Sequence, residues 1–306
     1  MKKSLPVLAA SVLAAHAGSY QPVPSPAVPG VEVNPLSFLD VFRASAYGNF
    51  GMEFEGSPGE LDAYQVELQS FLSRPLSFGN LSLLPTFRYE GTFLRYDGTP
   101  ALFPVGDEDL HSVELPLYLI HTTRNSPWIF GAWLKPSLST DFDHIDSDDI
   151  FVDLALGVGY KFSERLYVGA GAAGFDLFGN ESFIPGVGFI WMPTDEIAVR
   201  LIGATFTADW EATEDWRFGI DVRSAGGVWN IDDNNQSRTL DFTSFRAGLH
   251  AHRRIVDSWW VEGGAGFTFA NEIDLRTPSG LGLNENVLGD LDEGLYGFLA
   301  VRKEVW

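Results

Sequence analysis

The chain has 306 residues, with 32 glycines, 17 prolines, no cysteine, 14% aromatic residues and a formal charge of −21. So acidic a chain has no basic surface to neutralise a phosphate backbone, which excludes nucleic acid as a partner. The missing cysteine excludes a disulfide framework, a thiol nucleophile, a cysteine metal site and the lipid-modified cysteine of a bacterial lipoprotein. Hydrophobic residues make up 45% of the chain, yet past the N-terminus no apolar run reaches the roughly 18 residues a spanning helix needs. A closed barrel remains, because its apolar residues sit at every second position.

The chain opens with the pattern of a secretory signal peptide over residues 1–17. Lys2 and Lys3 are its basic start, residues 5–15 its apolar core, and Ala15-His16-Ala17 supplies small residues at both positions a signal peptidase inspects. Residues 18–37 carry five prolines and almost no charge, and read as an extended linker. From 38 to 306 composition does not break, so one β domain is expected.

Within that domain, apolar and polar residues alternate as in strands with two unlike walls. Over 63–72, Tyr64, Val66, Leu68 and Leu72 oppose Gln65, Glu67 and Gln69. Over 81–93, Phe87, Tyr89 and Phe93 oppose Thr86, Arg88, Glu90 and Thr92. Over 150–161, Val152, Leu154, Leu156, Val158 and Tyr160 oppose Asp153, small residues and Lys161. Over 245–252, Phe245, Ala247, Leu249 and Ala251 oppose Arg246, Gly248, His250 and His252. These strands exceed the five or six residues usual in sandwiches. Trp128, Trp133, Tyr160, Tyr167, Trp191, Trp216, Trp259 and Trp260 gather near strand ends, where a barrel carries its aromatic girdle.

Strands are predicted near 39–54, 62–73, 81–94, 110–121, 128–139, 150–162, 166–177, 184–192, 197–203, 205–210, 216–231, 240–254, 259–272 and 294–306. The pair 197–203 and 205–210 is short, so the expected fold is a single closed antiparallel up-and-down transmembrane β-barrel of 12 to 14 strands. The terminal Trp306 resembles the aromatic end by which such barrels engage their assembly machinery, although Arg302 and Glu304 interrupt the face that steps back from it.

The segments 189–203 (FIWMPTDEIAVRLIG), 216–231 (WRFGIDVRSAGGVWNI), 245–249 and 260–269 (WVEGGAGFTF) follow the ordering of an uncharacterised family of bacterial outer-membrane barrels, a domain of unknown function. The chain resembles that family mainly over its C-terminal 130 residues. The resemblance implies a fold and an outer-membrane location, facing lipid and lipopolysaccharide, and no catalytic residues.

Two groups of residues carry functional expectations. The loop residues Asp141, Asp143, Asp146, Asp148 and Asp149 offer hard oxygens to a divalent cation, without the glycine and glutamate of an EF-hand. Glu67, Arg88, Glu90, Glu114, Asp153, Lys161, Arg200, Asp221, Arg223, Arg246, His250, His252 and Glu262 are predicted to face the lumen. Buried charges persist when hydrated or paired, so the lumen is either water-filled or bridged. The His250–His252 pair shares one wall but shows no third ligand in sequence. The glycine-rich stretches at 169–174 and 263–266 lack the features of a phosphate loop and are read as sites of wall curvature. No nucleophile elbow or zinc-protease motif occurs, so no cofactor and no enzymatic role is expected. A narrow porin-like channel for small solutes or ions leads, beside a non-conducting surface-binding barrel and a lipid-modifying enzyme.

Overall fold

The computed structural model describes residues 40–55, 58–98, 107–123, 126–175, 182–233, 236–276 and 287–304. The signal peptide, the proline-rich linker and Trp306 lie outside these residues. In chain order the strands are β1 Phe42–Glu53, β2 Glu60–Phe71, β3 Leu76–Phe78, β4 Leu81–Asp97, β5 Glu108–Glu114, β6 Leu117–Thr122, β7 Trp128–Thr140, β8 Ile150–Ser163, β9 Leu166–Phe175, β10 Ser182–Trp191, β11 Ile197–Ile202, β12 Thr205–Thr213, β13 Trp216–Asp233, β14 Gln236–Val256, β15 Trp259–Arg276, β16 Val287–Leu291 and β17 Leu295–Lys303. A short 3-10 turn, Ser147–Asp149, precedes β8.

All seventeen strands form one antiparallel sheet, and β1 pairs with both β2 and β17, closing the sheet on itself. Three segments continue a neighbour rather than add to the circumference: β3 extends β2 along β4, β6 extends β5 between β4 and β7, and β16 extends β17 along β15. Seventeen segments less these three leave fourteen staves. The short pair β11 and β12 takes its place in the ring as two of them, joined by a two-residue turn with Gly203 at φ 59°. Closure leaves the sheet with no free first or last strand, the condition under which a sheet can cross lipid.

The two walls of the ring are inverted relative to a soluble protein. Leu249, Leu299 and Val187 are 67–69% exposed on the outside. Arg43, Arg302, Glu262 and His252 are fully buried inside. In β17 the even positions point inward, so Arg302 and Glu304 interrupt nothing. The apolar face is the odd one, Leu295, Leu299 and Val301. Among the described residues no helix is long and apolar enough to cross a membrane.

Short turns at 164–165, 214–215 and 257–258 share one rim with both ends of the strand series, since Phe42 pairs with Lys303. The longer connections share the other rim. Near the turn rim Trp128, Trp191, Trp210 and Trp216 stand exposed on the outside. Three of the expected girdle aromatics instead face inward. Trp260 is 1% exposed beneath the guanidinium groups of Arg217 and Arg254, Trp133 packs with Leu84 and Tyr118, and Tyr167 lies on the inner side of β9. Alternation decides this: Trp259 and Trp260 are adjacent, so only one can face lipid.

The ring is pinched at the loop rim. Thr140 of β7 meets Asn230 of β13 in a parallel bridge across the lumen, and the amide of Asp232 donates to Asp141 Oδ2 at 2.9 Å. Above that contact, the lobe formed by β13 to β17 and β1 to β7 is filled with apolar side chains, among them Met52, Leu61, Leu94, Leu110, Trp229, Phe242 and Ile273. The wall is low on the other side. β11 has six residues, about 20 Å at 3.3 Å each, against an apolar band about 25 Å tall in such barrels. It pairs with β10 only at 189–191, while β13 continues well above its pairing with β12. The loop-side half of β10 therefore flanks a notch.

Leu299 tests the inverted wall. Leu299→Arg is expected to destabilise the folded barrel by about 2–4 kcal/mol if the residue sits near mid-bilayer, read from urea unfolding in lipid vesicles. A neutral result would contradict the lipid-facing assignment.

Candidate functional site: a lumen half packed and half open

The lumen-facing residues expected from the sequence lie on the inner wall and fall into separate clusters. In the first, Arg88 bonds Glu67 Oε1 and Glu114 Oε2, each at 3.1 Å, and also Glu90. Lys135 then joins Glu114 at 3.2 Å to Asp153 at 3.0 Å. This belt of alternating sign crosses β2, β4, β5, β7 and β8. Lys135 sits between Trp133 and Ser137 on the inner face of β7, a position sequence alternation there also indicates.

A second cluster links Arg246 to Asn49 Oδ1 at 2.9 Å and to Gln65, with the guanidinium over the Tyr47 ring. A third runs Arg200, Asp209, His250, Asp221, Arg223. The fourth, at the turn rim, gathers Asp40, Arg43, Glu262, Arg302, Glu304 and Arg217. Asp40, just outside β1, is fully enclosed there, and burial pushes its carboxyl up to about 7 against the pull of Arg302 and Arg43. Lys161 is the outlying member: it stands at the turn rim, half-buried, and bonds Glu164 at 2.7 Å.

The acidic loop spends much of its charge on its own backbone. Asp141 accepts from the amides of Asp143 and Asp232, Asp146 from Asp148, and Asp149 from Asp146. These Asx bonds and a capping box hold the 3-10 turn. Burial, with Asp146, Asp141 and Asp232 nearby, raises the Asp149 carboxyl above its usual range. Asp143 and Asp148 face solvent. The loop thus acts as the strut of the pinch.

Glycines show that the lumen has two unlike halves. On β13 to β15, a Cβ placed at Gly219 would collide with His250 Nε2 and Asp209 Oδ1, at Gly248 with the Tyr296 hydroxyl, and at Gly264 with the Phe298 ring. Side chains cross over those glycines and fill the space. On β7 to β10 the converse holds. Gly131, Gly157, Gly171 and Gly186 pair directly with one another across four staves, forming one inward-facing row. A Cβ at Gly186 would meet nothing within 4 Å, and those at Gly157 and Gly131 would each meet a single carbonyl of the adjoining strand. One at Gly171 would instead collide with the Leu156 carbonyl, so that glycine also serves close approach of the strands. The flanking rows are also lean: Trp133, Ala155, Ala173 and Ile184 on one side, Ile129, Gly159, Gly169 and Gly188 on the other.

The glycine stretch at 169–174 is therefore more than a point of curvature. It contributes to a slot lined by small and apolar residues. Small polar cavities border the packed half, one of about 40 Å³ between Lys135, Asp153 and Gly226–Val228 and one of about 20 Å³ between Arg88, Arg223 and Arg246. Each has room for water molecules.

Arg88 holds three carboxylates at once. Arg88→Met is expected to cost about 3–5 kcal/mol, because Glu67 and Glu90 then lose their cation and face Glu114, which keeps only Lys135. Urea unfolding measures it, and a loss below about 1 kcal/mol would mean that water already screens the belt.

Solved structures of similar shape are outer-membrane barrels. A FadL homologue of Pseudomonas aeruginosa aligns over 94% of this chain and 95% of its own, at 10% identity and a TM-score of 0.50. An outer-membrane channel from Pseudomonas putida F1 aligns over 94% and 98%, at 13% identity and a TM-score of 0.45. At such identities the first likeness is one of fold. No curated protein matches the chain. A family model described as a domain of unknown function (DUF6268) matches residues 87–279. That match reaches further upstream than the C-terminal 130 residues carrying the sequence motifs. Because it spans more than half of the chain, the protein belongs to the DUF6268 family.

Proposed function

We propose that the protein is a bacterial outer-membrane channel that passes small, largely uncharged solutes along the slot on the inner side of β7 to β10. The observation that carries this reading is the glycine row Gly131, Gly157, Gly171 and Gly186, in front of which side chains leave space. Fourteen staves enclose more room than side chains can fill, since eight suffice for a packed interior and about sixteen leave an open channel. Here one half is filled by paired charges, and the remainder stays open. Its lining is glycine, alanine and isoleucine with Trp133 and Tyr167, which offers an ion little to replace its hydration shell. Ion conduction would run along the charged belt instead, where Arg88 and Lys135 are already committed to carboxylates.

The notch over the β11–β12 hairpin gives the slot an exit at the level of the outer lipid leaflet. Solutes that partition into lipid suit such an exit. The outer wall contacts lipid and lipopolysaccharide, Trp306 recruits the assembly machinery, and the leader over 1–17 directs export. These partners belong to the proposal. The channel performs no catalytic step.

Gly186→Leu fills the slot without a backbone clash. It is expected to lower uptake of small neutral solutes into proteoliposomes several-fold while the barrel keeps its heat-modifiable migration. Uptake unchanged by both Gly186→Leu and Gly157→Leu would sink the slot as the path. Wild-type protein that passes no solute and no current would favour the surface-binding reading.

A further inference from the structure

Asp209, His250 and His252 converge inside the wall of the packed half. Asp209 lies on β12, and both histidines lie on β14, two residues apart and so on the same inner face. One ligand atom from each side chain lies within 4.8 Å of the other two. His252 is fully buried, and among the described residues neither of its ring nitrogens has a hydrogen-bond partner. Its nearest carboxylate oxygen, Glu262 Oε2, stands 3.9 Å from Nδ1, beyond hydrogen-bond reach. A fully buried imidazole with two idle nitrogens costs desolvation that nothing nearby returns.

The surrounding groups are arranged as the outer support of a metal site. His250 turns Nε2 towards Asp209 Oδ1 at 2.8 Å and Nδ1 towards Asp221 Oδ1 at 3.0 Å. Asp221 is itself held by Arg223, and the second oxygen of Asp209 by Arg200. A carboxylate on the far nitrogen of a ligating histidine fixes its tautomer and orientation. Gly219, on β13 between the two ligand-bearing strands, matters for the same reason. Any side chain there would occupy the space of His250 Nε2 and Asp209 Oδ1.

We propose that Asp209, His250 and His252 bind one divalent ion of the zinc class, with Asp221 orienting His250 from behind. Two imidazoles and a carboxylate suit Zn²⁺ and its first-row neighbours rather than Ca²⁺ or Mg²⁺, which favour all-oxygen shells. The ion enters between His250 Nε2 and Asp209 Oδ1, and the proton shared there leaves to solvent. The bound ion ties β12 to β14 across β13. That tie braces the low β11–β12 hairpin, the least supported part of the wall. It stands whether or not the slot conducts.

Refolded barrel stripped with chelator and titrated with ZnCl₂ is expected to take up one ion per chain. His252→Gln and Asp209→Asn are each expected to weaken uptake by about 10- to 100-fold or more, and Asp221→Asn by about 10- to 100-fold. The loop variant Asp143→Asn with Asp148→Asn should leave uptake unchanged. Cobalt gives a second readout: visible absorbance of Co²⁺-loaded protein should appear in wild type and disappear in His252→Gln, with heat-modifiable migration verifying that each variant folds. Stoichiometric uptake that survives His252→Gln, uptake that tracks the loop variant instead, or no uptake by folded wild-type protein would each overturn the site.

Discussion

Closure of β1 onto β17 is the constraint on which the rest of the structure depends. A sheet whose outer wall is Leu249, Val187 and Leu299 can stand in lipid only if it leaves no free first or last strand. Once the ring closes, strict alternation sends every second residue inward, and those residues are the charged ones. Arg88, Arg246, Arg302 and their partners are buried because the outside is apolar, not because a core was built for them. Ion pairing then follows from the cost of an unpaired charge in a confined space.

Fourteen staves also fix how much interior there is to fill. The charged clusters and the apolar lobe at the loop rim fill mainly the side bounded by β12 to β17 and β1 to β5, with Lys135 of β7, Asp153 of β8 and Arg200 of β11 at its borders. Among the described residues the opposite half is lined mainly by glycine and alanine, with Ile129, Trp133 and Ile184 beside them. The pinch between β7 and β13 separates the two at the loop rim, and the Asp141 carboxylate holds it in place. The buried charges of this barrel thus meet the condition under which such charges persist, pairing with opposite charge where the lumen is packed.

Much of this was legible in the sequence because a period of two is local information. Glu67, Glu90, Asp153, Arg246 and Glu262 could each be assigned to the inner wall from their neighbours alone. The register between strands is not local. The residues of 169–174 read as isolated strand glycines until Gly131, Gly157, Gly171 and Gly186 are seen to pair side by side. The partners of Asp209 are not local either: from the short strand β12 it reaches the histidines across β13. Its alternation with Thr205 and Thr207, opposite Phe206, Ala208 and Trp210, was the available signal. Trp260 and Trp133 show the converse limit, since an aromatic near a strand end is a girdle residue only if its parity points outward.

The central claim is that water reaches the glycine row and not the packed half. The chain contains no cysteine, so single cysteines can be placed in it without a background. In folded barrel reconstituted in vesicles, a small charged thiol reagent should modify Gly157→Cys and Gly186→Cys rapidly and leave Thr268→Cys, on the fully buried inner face of β15, unmodified. Equal protection at all three positions would show that the lumen is packed throughout and would contradict the account.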